Sequence, residues 1–137
     1  GVAQAGLGSA GPLVLVPVPS RPAAVRERGD DVTARLARRA ASVLAAAGLP
    51  TRVESCLRHV ARVGDQAGLG EAERLANMRG SVAARPRGAG VRVVVDDITT
   101  TGASLAAAAQ ALRAAGSPPL CSAVVAATPR YHPRERP

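Results

Sequence analysis

The stretch Val93-Val-Val-Asp-Asp-Ile-Thr-Thr-Thr-Gly-Ala-Ser-Leu105 decides how this chain is read. An apolar run stops at two adjacent carboxylates. Three threonines, a glycine and a serine follow, and then residues at helical spacing. A short continuous apolar run has no polar face to show water and reads as a strand buried on both sides. In open α/β sheets, ligands bind beyond the carboxyl ends of the strands. A helix that starts there offers unpaired N–H groups and positive partial charge to an anion. The hydroxyls of Thr100, Thr101 and Ser104 add donors, and Gly102 lets the backbone come close to a ligand. Thr99, Thr100, Thr101, Gly102, Ala103 and Ser104 therefore read as a phosphate cradle. Asp96 and Asp97 would repel that phosphate and need another partner. Vicinal ribose hydroxyls fit, one donating to each carboxylate, and either acid can also reach a magnesium ion, directly or through water. Cradle and diol clamp together specify a 5-phosphorylated ribose.

Working outward, strands and helices alternate. Leu13–Val18 reads as a buried strand, followed by an arginine-bearing loop over Pro19–Gly29. Val32, Leu36, Ala40, Val43 and Leu44 recur at helical spacing from about Asp31 to Ala47. Asp30 or Asp31 caps that helix, and Gly48 and Pro50 end it. Asp30 and Asp31 are read as plain capping, since no hydroxyl loop comes after them. Thr51–Leu57 is a second strand, His59–Leu69 a loop, Glu71–Met78 a short helix and Ser81–Ala84 a brief edge strand. Val91–Val95 is the cleanest buried strand. A helix over about Ala103–Ala115 presents Leu105, Ala109 and Leu112 on one face, and Leu120–Ala127 is the last strand. The predicted class is α/β: a mostly parallel sheet with helices on both faces. Residues 1–137 read as a single domain, with a loose lead-in over 1–11 and a loose tail over 128–137. Gly1 rather than methionine stands first, so a processed product or a fragment is expected.

Composition narrows the chemistry. The formal charge is +8, and all 18 basic residues are arginine. Without lysine there is no Schiff base and no Walker-type phosphate loop, whereas the planar guanidinium fork suits phosphate well. Tyr131 is the single aromatic residue. Cys56 and Cys121 form neither a disulfide framework nor a metal knuckle; both read as small buried strand residues in a reducing compartment. His59 and His132 read as surface residues, since neither has a second ligand at metal spacing. No run approaches the ~20 apolar residues of a membrane span, and a cytoplasmic location is the expectation.

Two acids followed by Thr-Thr-Gly-x-Ser resemble the phosphoribosyl pyrophosphate signature of type I phosphoribosyltransferases. Val16-Pro-Val-Pro-Ser-Arg21, Arg26-Glu-Arg-Gly29, Gln66-Ala-Gly-Leu69 and Glu73-Arg-Leu-Ala-Asn77 resemble, in order and spacing, the ComF family, whose members are associated with bacterial competence for DNA uptake. The similarity runs from about Leu13 to Thr128. It departs from the family at Arg28-Gly-Asp-Asp-Val32, where ComF proteins usually read Arg-Gly-Phe-Asn-Gln. The four-cysteine zinc-binding segment that opens many relatives is absent from these residues, so no zinc site is expected.

The resemblance implies a three-layer α/β/α fold with sheet order 3-2-1-4-5 and the third strand antiparallel. It implies that Ser20 and Arg21, after the first strand, contact pyrophosphate. It implies a mobile loop over Arg58–Arg79 that supplies Arg58, Gln66 and Arg74. The implied reaction transfers phosphoribose from phosphoribosyl pyrophosphate to an acceptor the sequence does not name, with magnesium as cofactor and Asp96 and Asp97 as the acids at the reacting sugar. The DNA-uptake machinery is an implied partner, and the reading leaves room for a homodimer. Two other functions compete. One is a sensor that binds phosphoribosyl pyrophosphate or a nucleotide without turnover. The other is a nucleic-acid-binding competence protein, favoured by the charge but poorly served by one tyrosine.

Overall fold

The computed structural model describes residues 10–20, 26–27, 29–60 and 82–129. In chain order the elements are β1 (Leu13–Pro17), α1 (Val32–Ala46), β2 (Thr51–Val53), β3 (Leu57–His59), β4 (Val82–Ala84), β5 (Val91–Thr99), α2 (Ala103–Ala114) and β6 (Cys121–Ala127). The class is α/β. Four strands form one parallel sheet in the order β2-β1-β5-β6, with Leu15 in register with Val53 on one side and Val93 on the other. β3 and β4 form a separate antiparallel ribbon.

The two helices cover opposite faces. On one face Val14, Val16 and Val94 pack against Ala108, Ala111 and Leu112 of α2. On the other, Leu15, Val93 and Val95 pack against Ala37 and Ala41 of α1. This division follows from the pleat, which sends successive strand residues to opposite faces. Leu112, Val14, Val16 and Val94 are fully enclosed. Each such side chain contributes about 1.5–3 kcal/mol relative to exposure. With no phenylalanine or tryptophan available, alanines bring the helix backbones close to the sheet.

α1 starts where the sequence places it. Asp31 is the N-cap and accepts from the Ala34 N–H at 3.1 Å, and Asp30 pairs with Arg35. Gly48, at φ +90°, ends it in the left-handed region, with Gly48 and Leu49 N–H groups returning to Ala45 and Leu44 carbonyls. Its buried residues are Thr33, Ala34, Ala37 and Ala41; of the expected face, Leu36, Ala40 and Leu44 pack against the same core, and Val43 is exposed.

Three further expectations are corrected. The predicted strand Thr51–Leu57 is two strands. After Val53 the chain leaves β1 at Glu54, whose N–H still reaches the Leu15 carbonyl, and turns to pair with β4 instead. The expected third strand is thus antiparallel to β3 and lies in the ribbon, not in the four-stranded sheet. Cys121 was expected to be buried, but β6, the edge strand beside β5, is exposed along its whole length, Val125 at 71%, because no described element covers either of its faces. Cys121 is therefore exposed, and Cys56 is half-buried. The predicted helix Glu71–Met78 lies outside the described residues.

The turn into β5 depends on Gly90, at φ +148°. A Cβ there would stand 2.5 Å from Val14 Cγ2 and 2.6 Å from the Pro12 carbonyl oxygen. Pro12 is backbone, fixed by the Val91 N–H it accepts at 3.0 Å, so the clash cannot be relieved by a rotamer change. Gly90→Ala is expected to destabilise the fold by about 2 kcal/mol, read as a lower denaturation midpoint at unchanged m-value.

Candidate functional site

β5 carries the acidic pair to the carboxyl end of the sheet. It runs farther than the sequence implies, through Thr99, because β6 continues to pair with it from Val93 to Thr99. Asp96, Asp97 and Thr99 are therefore strand residues, and the loop proper is Thr100–Gly102. On the other side of β5, the Val18 N–H donates to the Val95 carbonyl at 2.9 Å and holds the segment after β1 beside the acids.

Asp96 is 8% exposed, and Asp97 is half-buried. One Asp96 carboxylate oxygen accepts from the Asp97 N–H at 2.9 Å, and an Asp97 oxygen accepts from the Ile98 N–H at 2.8 Å. Burial pushes the Asp96 carboxyl up to about 6, and the Asp97 carboxyl adds to this by hydrogen bonding and by charge. The Asp97 N–H acts the other way but is outweighed. Asp96 thus holds its charge at a cost, to which the Asp97 carboxyl adds.

The hydroxyl-rich turn is open. Thr100, Thr101 and Ser104 are exposed. Thr101 Oγ1 accepts from the Ala103 N–H at 3.2 Å. Gly102 is the N-cap of α2 at φ +80°, in the left-handed region, and, having no side chain, leaves Thr101 to meet the first N–H of the helix. A Cβ at Gly102 would meet nothing within 4 Å. Gly102 is required for its backbone conformation rather than for lack of room.

The other expected site residues fall as follows. Ser20 closes toward α1, its hydroxyl donating to the Asp31 carboxylate at 2.9 Å, which ties the segment after β1 to the helix cap. Arg58, expected at the start of a mobile loop, lies in β3. His59 is exposed and brings its Nε2 to 2.9 Å from the Pro19 carbonyl oxygen. Arg21, Gln66, Arg74 and His132 lie outside the described residues. Among the described residues, no three His, Cys, Asp or Glu side chains are grouped to hold a metal ion, and no helix is long and apolar enough to cross a membrane.

Sequence reading missed a charged group inside the core. Arg92, 5% exposed, donates to Glu54 at 3.2 Å and to the Arg87 and Gly88 carbonyls at 3.1 and 2.9 Å. Arg52 donates to Glu54 at 3.3 Å, and the Arg87 N–H completes its coordination. The available signal was an arginine inside Val91-Arg-Val-Val-Val95: a charge in a doubly buried strand requires a partner.

Compared with known proteins, the chain matches no family model. It matches no curated protein either.

Proposed function

We propose that this chain is a phosphoribosyltransferase-like protein that grips the ribose 5-phosphate part of phosphoribosyl pyrophosphate at Asp96–Ser104. The observation that carries the reading is the junction itself. A buried acid and its half-buried neighbour lie near the carboxyl end of a core strand, and after a short turn α2 starts among the exposed residues Thr100, Thr101 and Ser104. Anion and diol are thereby met by different groups on one short segment.

The finer fold proposed is that of the type I phosphoribosyltransferases, with β2-β1-β5-β6 as strands 2-1-4-5 of its sheet and the β3–β4 ribbon in place of its third strand. The family proposed is ComF, on the sequence resemblance, with the DNA-uptake apparatus as its context. Magnesium fits a site of this kind, since it usually takes one or two carboxylates and draws its remaining ligands from water and substrate phosphates. Asp96 and Asp97 would hold it, and it would supply charge neutralisation for departing pyrophosphate. Transfer breaks the bond from the ribose anomeric carbon to pyrophosphate and forms one to the acceptor, whose proton is released to solvent. The protein's own part is electrostatic and positional: the cradle fixes the phosphate, and the acids orient the diol and stabilise positive charge growing on the sugar.

Calorimetric titration with phosphoribosyl pyrophosphate, with and without magnesium, tests this. Because the clamp needs Asp96 ionised, affinity is expected to fall as pH drops through about 6. At pH 5 it should be about tenfold weaker than at pH 7.5. Absence of saturable heat in either metal condition at pH 7.5 would remove the proposal. Pyrophosphate release across a panel of bases and amines then separates enzyme from sensor.

A further inference from the structure

A cleft of about 490 Å³ opens where the chain crosses from β2 to β3, lined by Glu54, Cys56, Arg58, Arg85 and Arg87 among others. Its backbone is pinned on both sides. The Glu54 N–H donates to Leu15 in the sheet, and the Arg85 N–H donates to the Cys56 carbonyl, each at 2.9 Å. The acid and the arginines are engaged very differently. Glu54 is saturated: Arg52, Arg92 and the Arg87 N–H all bond to its carboxylate. The guanidinium groups of Arg58, Arg85 and Arg87 have no carboxylate or carbonyl partner among the described residues. Three arginines line the concavity, and the one carboxylate there is already paired with Arg52 and Arg92, which do not line it, so the lining carries a net positive charge.

We propose that this cleft is a second anion site, which binds a small molecule bearing phosphate or pyrophosphate groups. Like charges gathered in a recess repel one another until an anion lies between them. Planar guanidinium forks match phosphate oxygens in pairs. The volume is that of a small-ligand pocket, and among the described residues no aromatic side chain lines it to stack nucleic-acid bases. Burial and the Glu54 charge push the Cys56 thiol up, so it stays neutral and neither contributes an anion nor acts as a nucleophile. The cleft's chemistry is binding. It is also separate from the acidic junction. β1 lies between β2 and β5, so the two sites stand two strand spacings, about 10 Å, apart or more. The proposal does not rest on phosphoribosyl binding at Asp96.

Residue-resolved NMR of the arginine Nε–Hε groups in the full chain, titrated with inorganic pyrophosphate in chloride buffer, reads the site directly. The expected result is saturable shifts at Arg58, Arg85 and Arg87, half-complete near or below about 1 mM. They should persist in Asp96→Asn, which separates this site from the first. The paired substitution Arg85→Ala and Arg87→Ala should weaken the Arg58 response about tenfold or more while leaving the core amide spectrum in place. Shifts that grow linearly with ionic strength and match those of Arg38 and Arg39 on α1 would overturn the proposal. So would saturation by a short oligonucleotide but not by pyrophosphate, which would make the surface a nucleic-acid interface.

Discussion

Asp96→Asn is expected to unfold at a higher temperature than the parent chain at pH 8 while losing its hold on phosphoribosyl pyrophosphate. The carboxyl titrates near 3.8 in the unfolded chain and near 6 in the fold, so the native state binds the proton more tightly. Stability from this group is full below about 4, declines as pH rises, and is gone above about 6. At neutral pH the ionised side chain therefore costs on the order of 2–3 kcal/mol, because it is 8% exposed and faces a second carboxylate. Asparagine keeps an oxygen to accept the Asp97 N–H and removes the charge. The gain should read as a rise in Tm of about 5–10 °C at pH 8, shrinking to nothing at pH 4. Ligand affinity should move the opposite way, by about 10–100-fold, the worth of a hydrogen bond to a charged group. A variant with equal Tm at both pH values would show that Asp96 is not strained. Unchanged affinity alongside the Tm gain would mean that the acid pair does not touch ligand. Such a trade of stability for binding is what a functional site in a core strand requires.

The junction was legible in the sequence because every signal in it is local. Apolar run, acids, hydroxyls, glycine and helical spacing lie within Val93–Leu105, and the strand, turn and helix follow from them in order. Asp31 was legible for the same reason, since a cap is decided by its own helix. What could not be read depends on distant partners. Glu54-Ser-Cys56 has nothing in its composition to break a strand. The split between β2 and β3 arises because the chain exchanges a parallel partner for an antiparallel one. Cys121–Ala127 is composed like a buried strand, but burial belongs to whatever packs against it, and at the sheet edge it is exposed. On α1 the spacing found Leu36, Ala40 and Leu44, which pack on the core, but it also took in Val43, which is exposed, and passed over Ala34, Ala37 and Ala41, the small residues that let the helix approach the sheet.

Glu54→Gln is expected to destabilise the fold more than any other single polar substitution among the described residues, by about 3–5 kcal/mol. Arg92 sits in a core strand, 5% exposed, and its Nε already lacks a hydrogen-bond partner. Glu54 supplies its counter-charge, and the Arg87 and Gly88 carbonyls supply only dipoles. An amide at position 54 retains an acceptor for the Arg87 N–H but leaves a buried cation without an anion. The exposed Arg35–Asp30 pair provides the contrast: Asp30→Asn should change stability by less than about 1 kcal/mol, as solvent screens such pairs. If the penalty at Glu54 comes from the orphaned Arg92 charge, removing that charge should relieve it. Adding Arg92→Met to Glu54→Gln should recover about half or more of the loss, measured as denaturation midpoints in a double-mutant cycle. Additive losses in the cycle would mean that the two side chains act independently. The loss at position 54 would then come from its charge on Arg52 and on the 85–90 turn and not from the buried arginine.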